Sequence, residues 1–276
     1  VISRRTILFT LPFVSLAETG VMGREPLDLG FTELYHLRFQ EGRRIFQEFM
    51  RAQPANPMGA ASVAASYLFE EFESHAVLTS EFFLDDDLLL DGIKGKPNDA
   101  RMKAFESASA QARGLSESVV QKKANDPDAL LAGTMVLGMR ANASVLIYKE
   151  KLEALRLTRD GELWGRRLLS AAPDRKDGYM ALGASSYIIA CLPFYKRAIV
   201  RLGGVKGDRQ TGMDQMAEAA RHGRLLRPYA KILLALACLR ENQPARARTL
   251  LGELVTEFPA SPLFRREFDK FSLKLR

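Results

Sequence analysis

The chain has 276 residues, 47% of them hydrophobic, with a formal charge of +7 and two cysteines. That balance excludes a disordered polar chain, and two cysteines exclude a disulfide framework. Twelve prolines and twenty glycines fall mostly between apolar runs and form no low-complexity tract, so the chain reads as one folded unit punctuated by helix ends.

The first residues read as a targeting segment. Arg4 and Arg5 are followed by an apolar run from Thr6 to Leu16, and Ser15-Leu16-Ala17 is a small-x-small tripeptide. This predicts a signal peptide over residues 1–17, cleaved after Ala17. The run is about half of the ~20 apolar residues that a membrane-spanning helix needs. Ser3-Arg4-Arg5-Thr6-Ile7-Leu8 also resembles a twin-arginine signal, so both the Sec and the twin-arginine routes fit. The expected location is the periplasm.

Beyond the signal, apolar residues recur at helical spacing and prolines separate the runs. Paired helices are predicted over 30–38 with 40–53, 58–75 with 99–124, 128–152 with 157–172, 177–201 with 209–223, and 227–241 with 244–257. A last helix over 261–273 would cap the stack. Pro54, Pro127, Pro173 and Pro259 each follow such a run and end it, since proline cannot donate to a continuing helix. Leu137-Gly138 follows Pro127, and Leu182-Gly183 follows Pro173, at nearly the same phase. Gly42, Gly161 and Ala247 occupy a common small-residue slot ahead of Pro54, Pro173 and Pro259, where a larger side chain would push paired helices apart.

Two places break the regularity. Residues 76–98 form an acidic insertion, and Pro193 interrupts the fourth pair ahead of a glycine-rich turn. Insertions in repeat proteins map to one side of the stack, which makes both the first candidates for specificity. Charge is uneven as well. Residues 52–93 carry Glu70, Glu71, Glu73, Glu81, Asp85, Asp86, Asp87 and Asp91 with no Lys or Arg, whereas basic residues predominate from Lys196 onward. An acidic early end and a basic late end follow.

With this phasing, residues 26–274 resemble the tetratricopeptide-repeat superfamily. The segment Gly203-Gly204-Val205-Lys206-Gly207-Asp208-Arg209, followed by Leu225, Arg227, Pro228, Tyr229 and Ala230, is similar to uncharacterised exported bacterial members. The resemblance implies an all-α chain with residues 18–276 as a single domain. Its form would be a right-handed superhelix of about five antiparallel helix pairs plus a capping helix. It also implies a concave inner face available for binding, and it supplies no catalytic residue and no cofactor.

The side chains give no foothold for catalysis. Serines lack a nucleophile elbow, Cys191 and Cys238 lack a paired histidine in any local signature, and no His-Glu-x-x-His occurs. Both cysteines read as small buried hydrophobes, with pairing in an oxidising compartment as the alternative. Glu71 and His75, spaced i to i+4, are the one metal-like pair. No second histidine joins them, and an acidic helix end explains the same letters, so no metal is expected. Gly203-Gly204-x-x-Gly207-Asp208 lacks the strand and the Lys-Ser or Lys-Thr of a phosphate loop. It reads as a turn with Asp208 as helix N-cap.

Binding has better candidates. Arg221, Arg224, Arg227, Lys231 and Arg240 gather around Tyr229, a composition suited to acidic peptides or anionic headgroups. Export argues against nucleic acid. The repeat phase predicts that Tyr229, Ile232, Leu236 and Arg240, with Met180, Ala184 and Tyr187, line the inner surface. Tyr and Arg are typical of binding hot spots. The partner-binding set is thus Arg221, Arg224, Tyr229, Ile232, Leu236, Arg240, Met180 and Tyr187. The expected function is an exported scaffold that holds a protein or peptide in its groove in an assembly or adaptor role, with peripheral association with the envelope left open. The alternative is a periplasmic, transporter-associated accessory protein that binds a small molecule or lipid in a cavity lined by Met135, Met139, Tyr148 and Tyr187.

Overall fold

The computed structural model describes residues 25–274 apart from 203 and 205, so the expected signal peptide lies outside the described residues. Fourteen helices and no strands occur among the described residues. They are α1 (Pro26–Tyr35), α2 (Phe39–Ala52), α3 (Pro57–Ser74), α4 (Ser80–Leu84), α5 (Asp86–Asp91), α6 (Asp99–Lys122) and α7 (Pro127–Leu146), then α8 (Lys151–Ala171), α9 (Gly178–Cys191), α10 (Phe194–Leu202), α11 (Arg209–His222), α12 (Arg227–Arg240), α13 (Pro244–Glu257) and α14 (Pro262–Lys274). Each long helix packs on its neighbours in sequence.

Local chemistry sets the boundaries. Asn56, Asn98, Asp126 and Asp208 cap α3, α6, α7 and α11, their side-chain oxygens accepting backbone N–H groups of the first turn at 2.8–3.0 Å. Such a cap stabilises a helix by about 1 kcal/mol. Pro57 and Pro127 occupy first-turn positions, where the missing N–H costs nothing, while Pro54, Pro173 and Pro259 lie in the loops after α2, α8 and α13. Two predicted helices are shorter than expected. The span 128–152 ends at Leu146, because the backbone reverses through Lys149 at φ 62° before α8 begins. The span 177–201 is broken at Pro193 into α9 and α10. The acidic insertion is partly helical and contains α4 and α5. It is pinned to the end of α7 by the Ile93 N–H, which donates to the Leu146 carbonyl at 2.8 Å. Gly92 makes that approach possible: it has φ 76°, and a Cβ there would stand 2.3 Å from the Leu146 oxygen.

Burial divides the helices into two sets. α3, α7, α9 and α12 are buried on most sides, whereas α2, α8 and α13 bury a narrow stripe. α7 is long and apolar enough to cross a membrane, yet most of it is packed inside the fold. Small residues permit the close approaches. A Cβ on Gly183 would stand 2.7 Å from the Met216 nitrogen, and one on Gly212 would stand 2.6 Å from the Tyr187 nitrogen, so α9 and α11 touch backbone to backbone.

The two ends of the described chain meet. Tyr35 of α1 donates its hydroxyl hydrogen to the Leu225 carbonyl at 2.9 Å, and its ring lies 5.3 Å from that of Phe258. Phe69 of α3 meets Tyr229 of α12 edge to face at 5.3 Å. The Ser80 N–H at the start of α4 donates to Glu267 of α14 at 3.0 Å. These contacts fill the space that an open groove would occupy.

Candidate functional site

That closure decides the position of the expected partner-binding residues. Met180, Tyr187, Ile232 and Leu236 are core side chains, all at most 5% exposed. The groove expected to present them is filled by the elements they pack against, so these four are corrected from surface to interior. Tyr229 is half-buried against Phe69, and desolvation pushes its phenol up to about 12.

The basic cluster is already matched by carboxylates of the same chain. Arg224 forms a two-pronged pair with Asp28 at 2.9 and 2.7 Å and reaches Glu25 at 2.7 Å. This planar fork suits a carboxylate, and it raises the Arg224 guanidinium further above its usual range. Arg227 pairs with Glu257 at 3.1 Å, Lys231 with Glu257 and with Glu253 at 2.8 Å, and Arg221 with Glu218 at 3.4 Å. Asp177, 1% exposed, accepts from the N–H groups of Arg224 and Leu226 at 2.9 and 2.7 Å and holds the turn that aims Arg224. Arg221 and Arg224 therefore take part in ion pairs within the chain, and Arg224 acts as a latch between the turn before α12 and α1.

The metal-like pair is likewise occupied. The Glu71 carboxylate is fully buried, accepting from Arg101 at 2.6 Å and from the Asn98 N–H at 3.0 Å, with His75 Nε2 at 3.0 Å. No cluster of three or more His, Cys, Asp or Glu side chains suited to a metal occurs among the described residues. Both cysteines are free; Cys238 is buried, which raises its thiol, and Cys191 is half-buried.

One depression unites the two irregularities of the sequence. A cleft of about 220 Å³ is lined by Phe83 and Leu89 from the acidic insertion, by Tyr187, Ile188 and Pro193 from α9 and the break after it, and by Arg240 at the end of α12. Arg240 donates to the Phe83 carbonyl at 2.9 Å, tying the insertion to α12 across one wall. The Tyr187 hydroxyl is 3.0 Å from Glu241 and 3.3 Å from the Ala237 carbonyl. The sequence singled out Tyr187 and Arg240 as groove residues, but not Phe83, Leu89 or Ile188. Only the proline break and the insertion hinted at them, because their meeting depends on how non-adjacent helices pack.

The other expected cavity is not assembled. Tyr148 lies on a separate, wide depression with Glu106, Arg140 and Ser144, whereas Tyr187 lines the α9 cleft. Met135 is buried, lining neither of the two. Burial and the adjacent Glu106 raise the Tyr148 phenol.

Compared with known proteins, the chain matches no family model, and no curated protein matches it in sequence.

Proposed function

We propose that this chain is an exported, tetratricopeptide-like helical-repeat scaffold that holds a protein or peptide partner. The observation that carries the reading is the cleft where the acidic insertion meets the proline break. Its volume of about 220 Å³ is below the ~300–1,000 Å³ of pockets that enclose a whole small molecule. It suits one or two apolar side chains anchored from a partner, the usual geometry of a binding hot spot. The helix-pair lengths and the glycine-mediated contacts between α9 and α11 support the repeat assignment, with the superhelix wound tightly enough for its ends to touch. Cys191 also lines the cleft beside Tyr187, but no histidine or carboxylate lines it as a base, so it is read as a recognition site and not a catalytic one. Export and the periplasm rest on residues 1–17 alone.

The test is native mass spectrometry of the chain purified gently from its source, alongside Ile188→Arg, which fills the cleft. Under this reading the wild type carries a stoichiometric protein subunit that Ile188→Arg loses. A mass gain of a few hundred daltons, lost in the same variant, would replace the scaffold with the small-molecule or lipid-binding accessory protein.

A further inference from the structure

Helix α10 is built inside out. Of its described side chains none is buried, and three large apolar ones face solvent: Phe194 is 77% exposed, Tyr195 54% and Leu202 90%, while Val200 is half-buried. At 3.6 residues per turn Phe194, Ala198 and Leu202, spaced i, i+4 and i+8, fall on one stripe with Tyr195 beside it. Arg197 and Arg201, also spaced i to i+4 and exposed, run along one flank of that stripe. From Cys191 to Gly207 the sequence holds Lys196, Arg197, Arg201 and Lys206 and no acidic residue.

Leu152 and Leu163 of α8 are exposed as well, but in α10 three large apolar side chains are exposed on one short helix, and such a contiguous apolar stripe marks a contact site. The charge pattern selects the partner. Basic residues beside aromatic and leucine side chains are the composition of a helix lying in a membrane interface, where apolar groups sink below the headgroups and arginines stay with the phosphates. The anchoring of α10 leaves the stripe free to do this. The helix hangs from α9 after Pro193, with Arg197 donating to the Ala190 carbonyl at 3.4 Å, and it ends at Leu202, with Gly204 beyond it at φ 86°.

We infer that α10 docks the protein peripherally on an anionic lipid bilayer, with Phe194, Tyr195 and Leu202 inserted among the headgroups and Arg197 and Arg201 pairing with lipid phosphates. This surface adjoins the proposed partner cleft at Pro193 but shares no side chain with its lining, so Ile188→Arg and the α10 variants test different residues.

The test is flotation of the full chain with phosphatidylcholine vesicles, with and without phosphatidylglycerol. The full chain is expected to float with the anionic vesicles in a salt-sensitive manner. Phe194→Ser with Leu202→Ser, and separately Arg197→Glu with Arg201→Glu, should each lower partitioning at least about tenfold. Phe194→Ser with Leu202→Ser should keep the melting temperature of the parent, since the stripe does not pack inward. Equal binding to neutral vesicles, or no loss in either variant pair, overturns the proposal. So does a clear drop in the melting temperature of Phe194→Ser with Leu202→Ser. A dimer seen by sedimentation velocity that Phe194→Ser with Leu202→Ser abolishes, without vesicle binding, would assign the stripe to a second copy of the chain instead.

Discussion

Tyr35 and Phe258 lie ring against ring at 5.3 Å, joining α1 to the end of α13. Both are buried, at 5% and 7% exposure, so the contact is part of the core and not a surface embrace. Phe258→Ala should cost about 3–5 kcal/mol. Tyr35→Phe, which strands the Leu225 carbonyl, should cost about 1–2 kcal/mol. Urea unfolding should show a single transition for both variants, because the ends are held by one continuous core.

His36 sits beside the same contact, its ring edge-on to Phe258 at 5.6 Å, and neither ring nitrogen has a hydrogen-bond partner among the described residues. Desolvation, and then the positive charge of Arg38, lower its pKa from 6.5 against the opposing effect of Glu33. A histidine depressed in the folded state binds its proton more readily when unfolded, so stability falls as pH drops through 6.5 and levels off below the folded value. Melting temperatures at neutral and mildly acidic pH should diverge in the wild type. In His36→Phe that part of the divergence should vanish.

The Glu71 carboxylate holds the far end of the insertion through Arg101 and the Asn98 N–H. Glu71→Ala removes one partner of a buried ion pair, a change that costs about 3–5 kcal/mol. Its local signature should be faster tryptic cleavage after Lys94, which lies between Gly92 and Asn98, while the cores of α7 and α12 remain protected.

Gly138 and Gly183 occupy the same phase in the sequence but not the same environment. A Cβ on Gly138 meets nothing within 4 Å, whereas on Gly183 it meets the Met216 nitrogen at 2.7 Å and the Gly212 carbonyl at 2.9 Å. Gly138→Ala should therefore stabilise the protein by about 0.5–1 kcal/mol through helix propensity. Gly183→Ala should destabilise it, because α9 and α11 must move apart. Chemical denaturation of the two variants should give opposite signs.

The sequence by itself determined the helices and most of their ends. Prolines, caps and apolar spacing act within a few residues, so the ends at Pro54, Pro127, Pro173 and Pro259 and the cap at Asp208 could be placed without knowing what lay beside them. The break at Pro193 and the insertion over 76–98 were legible for the same reason, and both reach the candidate cleft.

Only the tertiary structure decided which face of each helix is free. Ile232, Leu236, Met180 and Tyr187 have the pattern of a groove lining, yet all four are buried, Tyr187 by the packing of α9 against α11 and α12. Arg224 looks like a ligand for an acidic partner until Asp28 and Glu25, nearly the whole chain away, are brought beside it. Periodicity states that a face is apolar or charged. What covers that face depends on packing between segments far apart in sequence, and local spacing carries no record of that.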